Sequence, residues 1–399
     1  MVTAAKREIP YNPRVMRWAR ERVSIGVEDA ARRLHVPPEK VIAWEHDGRP
    51  DAPTVRQARA LADMYGRPFL EFFAREIPAI QQPKLAPDFR FHRIPPTSSE
   101  AAALVELQTW AEEIRLNAFD LLDLIGEPPT PFPSDLYCSI EEDVDKAAAR
   151  VRERIAFPIE RQTSLRSQKD RDGFPAVLRR KLEEIGILVL KQSGLSRVRT
   201  RGICLYSETF PIIVFGNESP GGTAFTLVHE FAHILLRQSA LSSYPRFGNG
   251  SSLKKVEGWC NRFAAAFLMP ADSVTAFMGS FPEGSQSIAD AQLASVSARY
   301  AVSPHAALIR LVNLGYVQPS FYWRVKRPQF VKQEEEYEGF GRPKYYGSRY
   351  RSSKGDLYTG LVLEAWNTGR ITNHNAAEFM GIRNLDHLND IRANWMSND

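Results

Sequence analysis

The chain has 399 residues, 43% of them hydrophobic and 25% charged, which excludes a wholly disordered or fibrous protein and leaves room for two or three domains. A formal charge of +5, from 52 basic and 47 acidic side chains, permits a polyanionic partner without demanding one. Three scattered cysteines, no apolar run near the ~20 residues of a membrane helix and no apolar secretion segment lead us to expect a reducing cytoplasm and no membrane partner.

Residues 11–76 read as a run of short helices. Pro13 starts the first, with Val15, Trp18, Ala19 and Val23 at helical spacing, and Gly26 ends it. Glu28 to Leu34 forms the second, and a tight turn leads to a third opening at Pro38, where a missing amide donor costs nothing. A fourth opens at Pro53-Thr54 and a fifth at Pro68. Helix, short turn, helix is a helix-turn-helix pattern. The second helix of such a module faces its target. Its outward positions here read as Glu39, Lys40, Ala43 and Glu45, a mixed set that suits either DNA or a protein surface.

Residues 77–98, rich in Pro, Arg and Lys, read as a linker. Helices are expected over Ser99 to Ile125, Glu141 to Ile155 and Pro175 to Glu184, followed by strands at Ile187 to Leu190, Ile203 to Tyr206 and Pro211 to Phe215. The last of these could pair with an extended peptide at a sheet edge or lie as a core strand. Helices resume at Thr223 and run, with breaks, to about Leu314. Residues 318–356 read as a basic and aromatic linker, in which Arg342, Lys344, Arg349, Arg351 and Lys354 alternate with tyrosines. Residues 357–399 form a helical C-terminal region. The fold class is therefore mainly α with a small β-sheet, an α+β chain, with its central domain over 99–317.

The strongest chemical signal is His229-Glu230-Phe231-Ala232-His233. Positions four apart share a helix face, so His229 and His233 can offer two imidazoles to one Zn²⁺, while Glu230 can reach a water molecule held there. Phe225, Val228, Ala232 and Leu235 supply the apolar stripe that supports a helix. A catalytic zinc site usually has a third protein ligand; Glu257, Cys260 and Glu283 are the candidates. Glu257 is favoured because Asn261, one turn later, can orient a histidine's second nitrogen, whereas Cys260 falls on the apolar face. Glu230 would then act as general base in amide hydrolysis.

These residues, continued by Glu257-Gly-Trp-Cys-Asn261-Arg-Phe-Ala-Ala-Ala-Phe-Leu-Met-Pro270, resemble the ImmA/IrrE family of bacterial zinc metallopeptidases. Glu257 matches the family's third ligand, and Cys260 stands where the family usually has Ala. Residues 303–315 resemble the family's segment after the catalytic core, and residues 11–76 are similar to the Xre/Cro-type helix-turn-helix domains of its long members. The resemblance implies a gluzincin-like fold and limited proteolysis of a repressor or antitoxin in a stress-response, mobile-element or toxin–antitoxin setting. The rival reading is an antitoxin or transcriptional regulator that binds DNA or a toxin partner with weak or no proteolysis.

Overall fold

The computed structural model describes residues 11–23, 25–46, 52–65, 67, 69–77, 98–198, 200–242, 252–335 and 346–396. Two of the first four helices begin where a side chain can satisfy the orphan amides of the first turn. In α1 (Pro13–Arg22) the Asn12 side chain accepts from the Arg14 and Val15 amides, and in α4 (Val55–Met64) Thr54 and Gln57 cap each other reciprocally. Between them, α2 (Val27–Leu34) ends on His35, in the left-handed region at φ 54°, and α3 (Pro38–Trp44) follows after a tight turn. Val15, Ala30, Val41, Trp44 and Leu61 meet in one core. The segment expected as a fifth helix is a short 3-10 turn, Phe69–Phe73. Glu45, read from the sequence as outward-facing, is buried: Arg20 grips its carboxylate with two hydrogen bonds of 2.7 Å.

The described residues fall into two compact units, one taking the chain to residue 77 and α5 (Ser98–Ile125) as far as Trp110, the other running from Ala111 onward. Of the expected linker 77–98, only its two end residues lie among the described ones.

In the second unit, β1 (Leu188–Lys191), β2 (Gly202–Leu205) and β3 (Ile212–Phe215) are buried on both faces, which is why they read as continuous apolar runs. A fourth strand, β4 (Ala240–Ser242), joins β2, giving the order β1-β3-β2-β4. β1 and β3 are parallel; β2 runs antiparallel to β3 and β4. β3 is therefore interior, and the run Pro211 to Phe215 is a core strand with no edge to offer a peptide.

Around the sheet lie α6 (Val144–Arg154), α7 (Ile159–Thr163), α8 (Gln168–Glu184), α9 (Pro220–Leu235) and α10 (Ser252–Leu268). α8 starts seven residues before Pro175, because Ser167 and Asp170 form a reciprocal cap that outweighs the one hydrogen bond an internal proline forfeits. α11 (Ala271–Met278), α12 (Asp290–Tyr300) and α13 (Pro304–Asn313) complete the core around α10.

Residues 318–356, read as a linker, are mostly helical where described: α14 (Pro319–Phe321), a π-turn at Tyr322–Lys326, α15 (Arg327–Glu335) and α16 (Tyr346–Lys354). Arg342 and Lys344 lie outside the described residues. α17 (Asp356–Asn367), α18 (Asn373–Met380) and α19 (Asp386–Met396) follow. The α16–α17 junction is anchored to the sheet. Ser353 Oγ donates to Lys191 O at 3.1 Å, Arg179 donates to Ser352 O at 2.6 Å and to Val189 O, and the Asp356 amide donates to both Glu183 oxygens at 3.0 and 3.1 Å. Gly355, at φ +86°, has no room for a Cβ, which would stand 2.9 Å from Arg179 Nη2 and Val189 O. Among the described residues no helix is long and apolar enough to cross a membrane.

Candidate metal centre

α9 starts with Pro220 in its first turn behind a Ser219 cap, and nearly every residue from Thr223 to Leu235 is buried. A helix apolar all round belongs in a core. Thr226, His229, Glu230 and His233 break that pattern along one stripe, and ionisable groups held in such a place are costly unless they have work to do. Glu230 and His233 are fully buried and His229 nearly so.

α10 packs against α9 and turns Glu257 toward both imidazoles. His233 Nε2 lies 3.1 Å from Glu257 Oε1, His229 Nε2 lies 3.5 Å from Glu257 Oε2, and the two Nε2 atoms are 3.2 Å apart. Three ligands at about 2.0–2.1 Å from a tetrahedral zinc would sit about 3.3 Å from one another. The donor set, two imidazole nitrogens and a carboxylate oxygen with edges of 3.1 to 3.5 Å, fits a divalent cation of this kind.

The neighbouring groups tune these donors. Burial alone would raise the Glu257 carboxyl, but the two histidines outweigh it and hold it well below the usual carboxylate range. For His229, burial pulls the imidazole down, yet Glu257, Glu230 and a hydrogen bond donated to the Asn261 side chain raise it overall. For His233 burial prevails and the imidazole is lowered. The ring of Phe225 stacks on His229 at 6.3 Å, one turn earlier on α9.

Glu230 extends toward β2 at Gly202. A Cβ at that position would come within 2.7 Å of Glu230 Cγ and 2.8 Å of Cδ, so the bare glycine backbone makes the space this carboxylate occupies. At the other end of α9, a Cβ on Gly221 would stand 2.5 Å from the Val302 carbonyl carbon; glycine lets the helix cross the chain that leads into α13.

Of the residues singled out from the sequence, His229, Glu230, His233, Glu257 and Asn261 are brought together. Cys260 lies behind His233, its Sγ 3.6 Å from Nδ1, on the side of the ring away from Nε2. Glu283 is exposed after α11 and is not part of the cluster. Glu39 and Lys40 are exposed on α3 and Ala43 is half-buried, all three in the first unit. Gly202 was missed; no local pattern announces a contact between residues 202 and 230.

Residues 182–312, roughly a third of the chain, match the peptidase family M78 model, described as the IrrE N-terminal-like domain. The stretch runs from the end of α8 to α13 and includes every residue of the cluster. The match supports a metallopeptidase-type function for this part of the chain. Neither the curated proteins nor the solved structures yield a match.

Proposed function

We propose that residues 99–317 are a zinc-dependent endopeptidase domain that cleaves a specific regulatory protein, a repressor or an antitoxin, in a stress-response, mobile-element or toxin–antitoxin setting in the cytoplasm. The observation that carries this reading is the triangle of His229, His233 and Glu257 with Glu230 buried beside it. His229, His233 and Glu257 would hold Zn²⁺, which would supply Lewis acidity to a peptide carbonyl and to the attacking water. Glu230 accepts the proton of that water and delivers it to the departing amine nitrogen. Asn261, one turn after Glu257, would steady the His229 side of the site. An extended substrate would add beside β4, the outermost of the described strands next to β2.

The test is Glu230→Gln in the full chain. Zinc content should stay at that of the wild type, while cleavage, read as new protein N-termini in cells, should fall by about 10²–10⁴-fold. A wild-type protein that takes up no zinc, or a variant producing the same termini, would refute the reading.

A second reading, a regulator that binds DNA through residues 11–76 with Glu39, Lys40 and Ala43 at the contact, gains support from Arg20. By burying Glu45, Arg20 removes one of the two carboxylates that would repel phosphate, while Arg33 and Lys40 remain exposed. Under this reading, binding to the chain's own promoter weakens steeply with salt. A toxin partner would instead be recovered on the same surface without that salt dependence.

A further inference from the structure

We infer that Cys260 is a positioning residue for His233. One turn of α10 carries three consecutive functions: Glu257 faces both imidazoles, Asn261 bonds His229, and Cys260 sets its sulfur 3.6 Å from His233 Nδ1. With Nε2 taken up by the metal, the His233 ring would carry its proton on Nδ1 and donate it to the sulfur. The thiol and the imidazole are both fully buried. Nδ1 and Nε2 lie on opposite sides of the imidazole, so the sulfur backs the ring without being a ligand. Partners of this kind fix ring orientation and typically govern metal affinity by about 10–100-fold. A thiol, a weak acceptor, belongs at the lower end.

This inference rests on the zinc reading of the same site, and its test is binding rather than turnover. The full chain is stripped of metal, and Zn²⁺ affinity is measured by chelator competition for the wild type, Cys260→Ala, Cys260→Val and Cys260→Ser. Alanine and valine, which lack an acceptor, should each weaken binding by about tenfold, with valine filling the space that alanine leaves. Serine should recover most of the loss. With Co²⁺ in place of zinc, the d–d bands of the alanine variant should shift, and the wild type should show no thiolate-to-cobalt charge-transfer band. Equal affinities and unchanged bands in the alanine and valine variants would overturn the inference while leaving the endopeptidase reading intact. A charge-transfer band in the wild type that Cys260→Ala abolishes would overturn it too, by making Cys260 a ligand. A wild-type chain that binds neither metal would overturn both.

Discussion

Glu230 owes its place to an absent atom. Gly202 leaves the space in β2 that the carboxylate fills, and Glu230 is buried with no outward path to relieve a clash. Gly202→Ala should therefore displace the carboxylate while leaving His229, His233 and Glu257 alone. The expected outcome is unchanged zinc content with cleavage reduced about 100-fold or more, since an ångström of misplacement at a reacting group costs that much. Metal analysis and cleavage on the same preparation would check it. At this scale the sequence was legible wherever chemistry is local. His229 and His233 sit four apart, as do Glu257 and Asn261, and helix geometry alone puts each pair on one face. Gly202, the burial of Glu45 by Arg20 and the contact of Cys260 with His233 depend on residues far away in the chain, and spacing says nothing about those.

The element that presents Glu257 is clamped at its far end. The last carbonyls of α10 and the residue after it, Phe267, Leu268 and Met269, accept from Arg152 at 2.7 Å, Gln162 at 2.9 Å and Arg310 at 2.9 Å. Two cations at the negative end of a helix dipole are favourable, and each satisfies a carbonyl that water cannot reach. Arg152 also lies against the stacked rings of Phe157 and Phe267, at 4.8 and 5.0 Å from their centroids. Its burial pulls the guanidinium down to about 10. Arg152→Ala should destabilise the protein by about 2–4 kcal/mol, because it strands a buried carbonyl and opens a cavity beside two stacked rings. A urea titration would read this as a lower midpoint at unchanged slope. Boundaries at this scale were less legible than element types. The three apolar strands were readable, whereas β4, only three residues long, offers no run to recognise. The true start of α8 was signalled by Ser167 and Asp170 at capping spacing, a signal that Pro175 overrode.

At the scale of the molecule, residues 346–396 are part of the unit that holds the metal centre, and their anchor is ionic. Glu183 is buried between Arg179 and the start of α17, with Asp356 in turn held by Arg351 at 2.7 Å and flanked by Arg180 at 3.6 Å. Burial first, and then the Asp356 charge, push the Glu183 carboxyl up to about 7 despite the opposing pull of Arg179. An acid whose folded value exceeds its unfolded value binds protons more tightly when folded, so its favourable contribution is full below about pH 4.5 and is lost as pH rises through about 7. Glu183→Gln, which retains an acceptor for the Asp356 amide, should remove this dependence. Melting temperatures of wild type minus variant should fall between about pH 5 and 8, by an amount equivalent to at most about 3 kcal/mol. The same anchor explains why 318–356 read as a linker. α16 packs by bringing Gly347 against the backbone of Asp390 and by hydrogen bonds from Ser353, so the segment lacks the apolar stripe that usually marks a docked helix.

That covering of β1 has one more effect. A strand with unfilled carbonyls along its rim is a template on which foreign chains can stack and grow toward fibrils. Val189 and Lys191 have theirs filled from within, by Arg179 and Ser353, so while α16 stays folded the sheet offers no foothold for such growth on that flank.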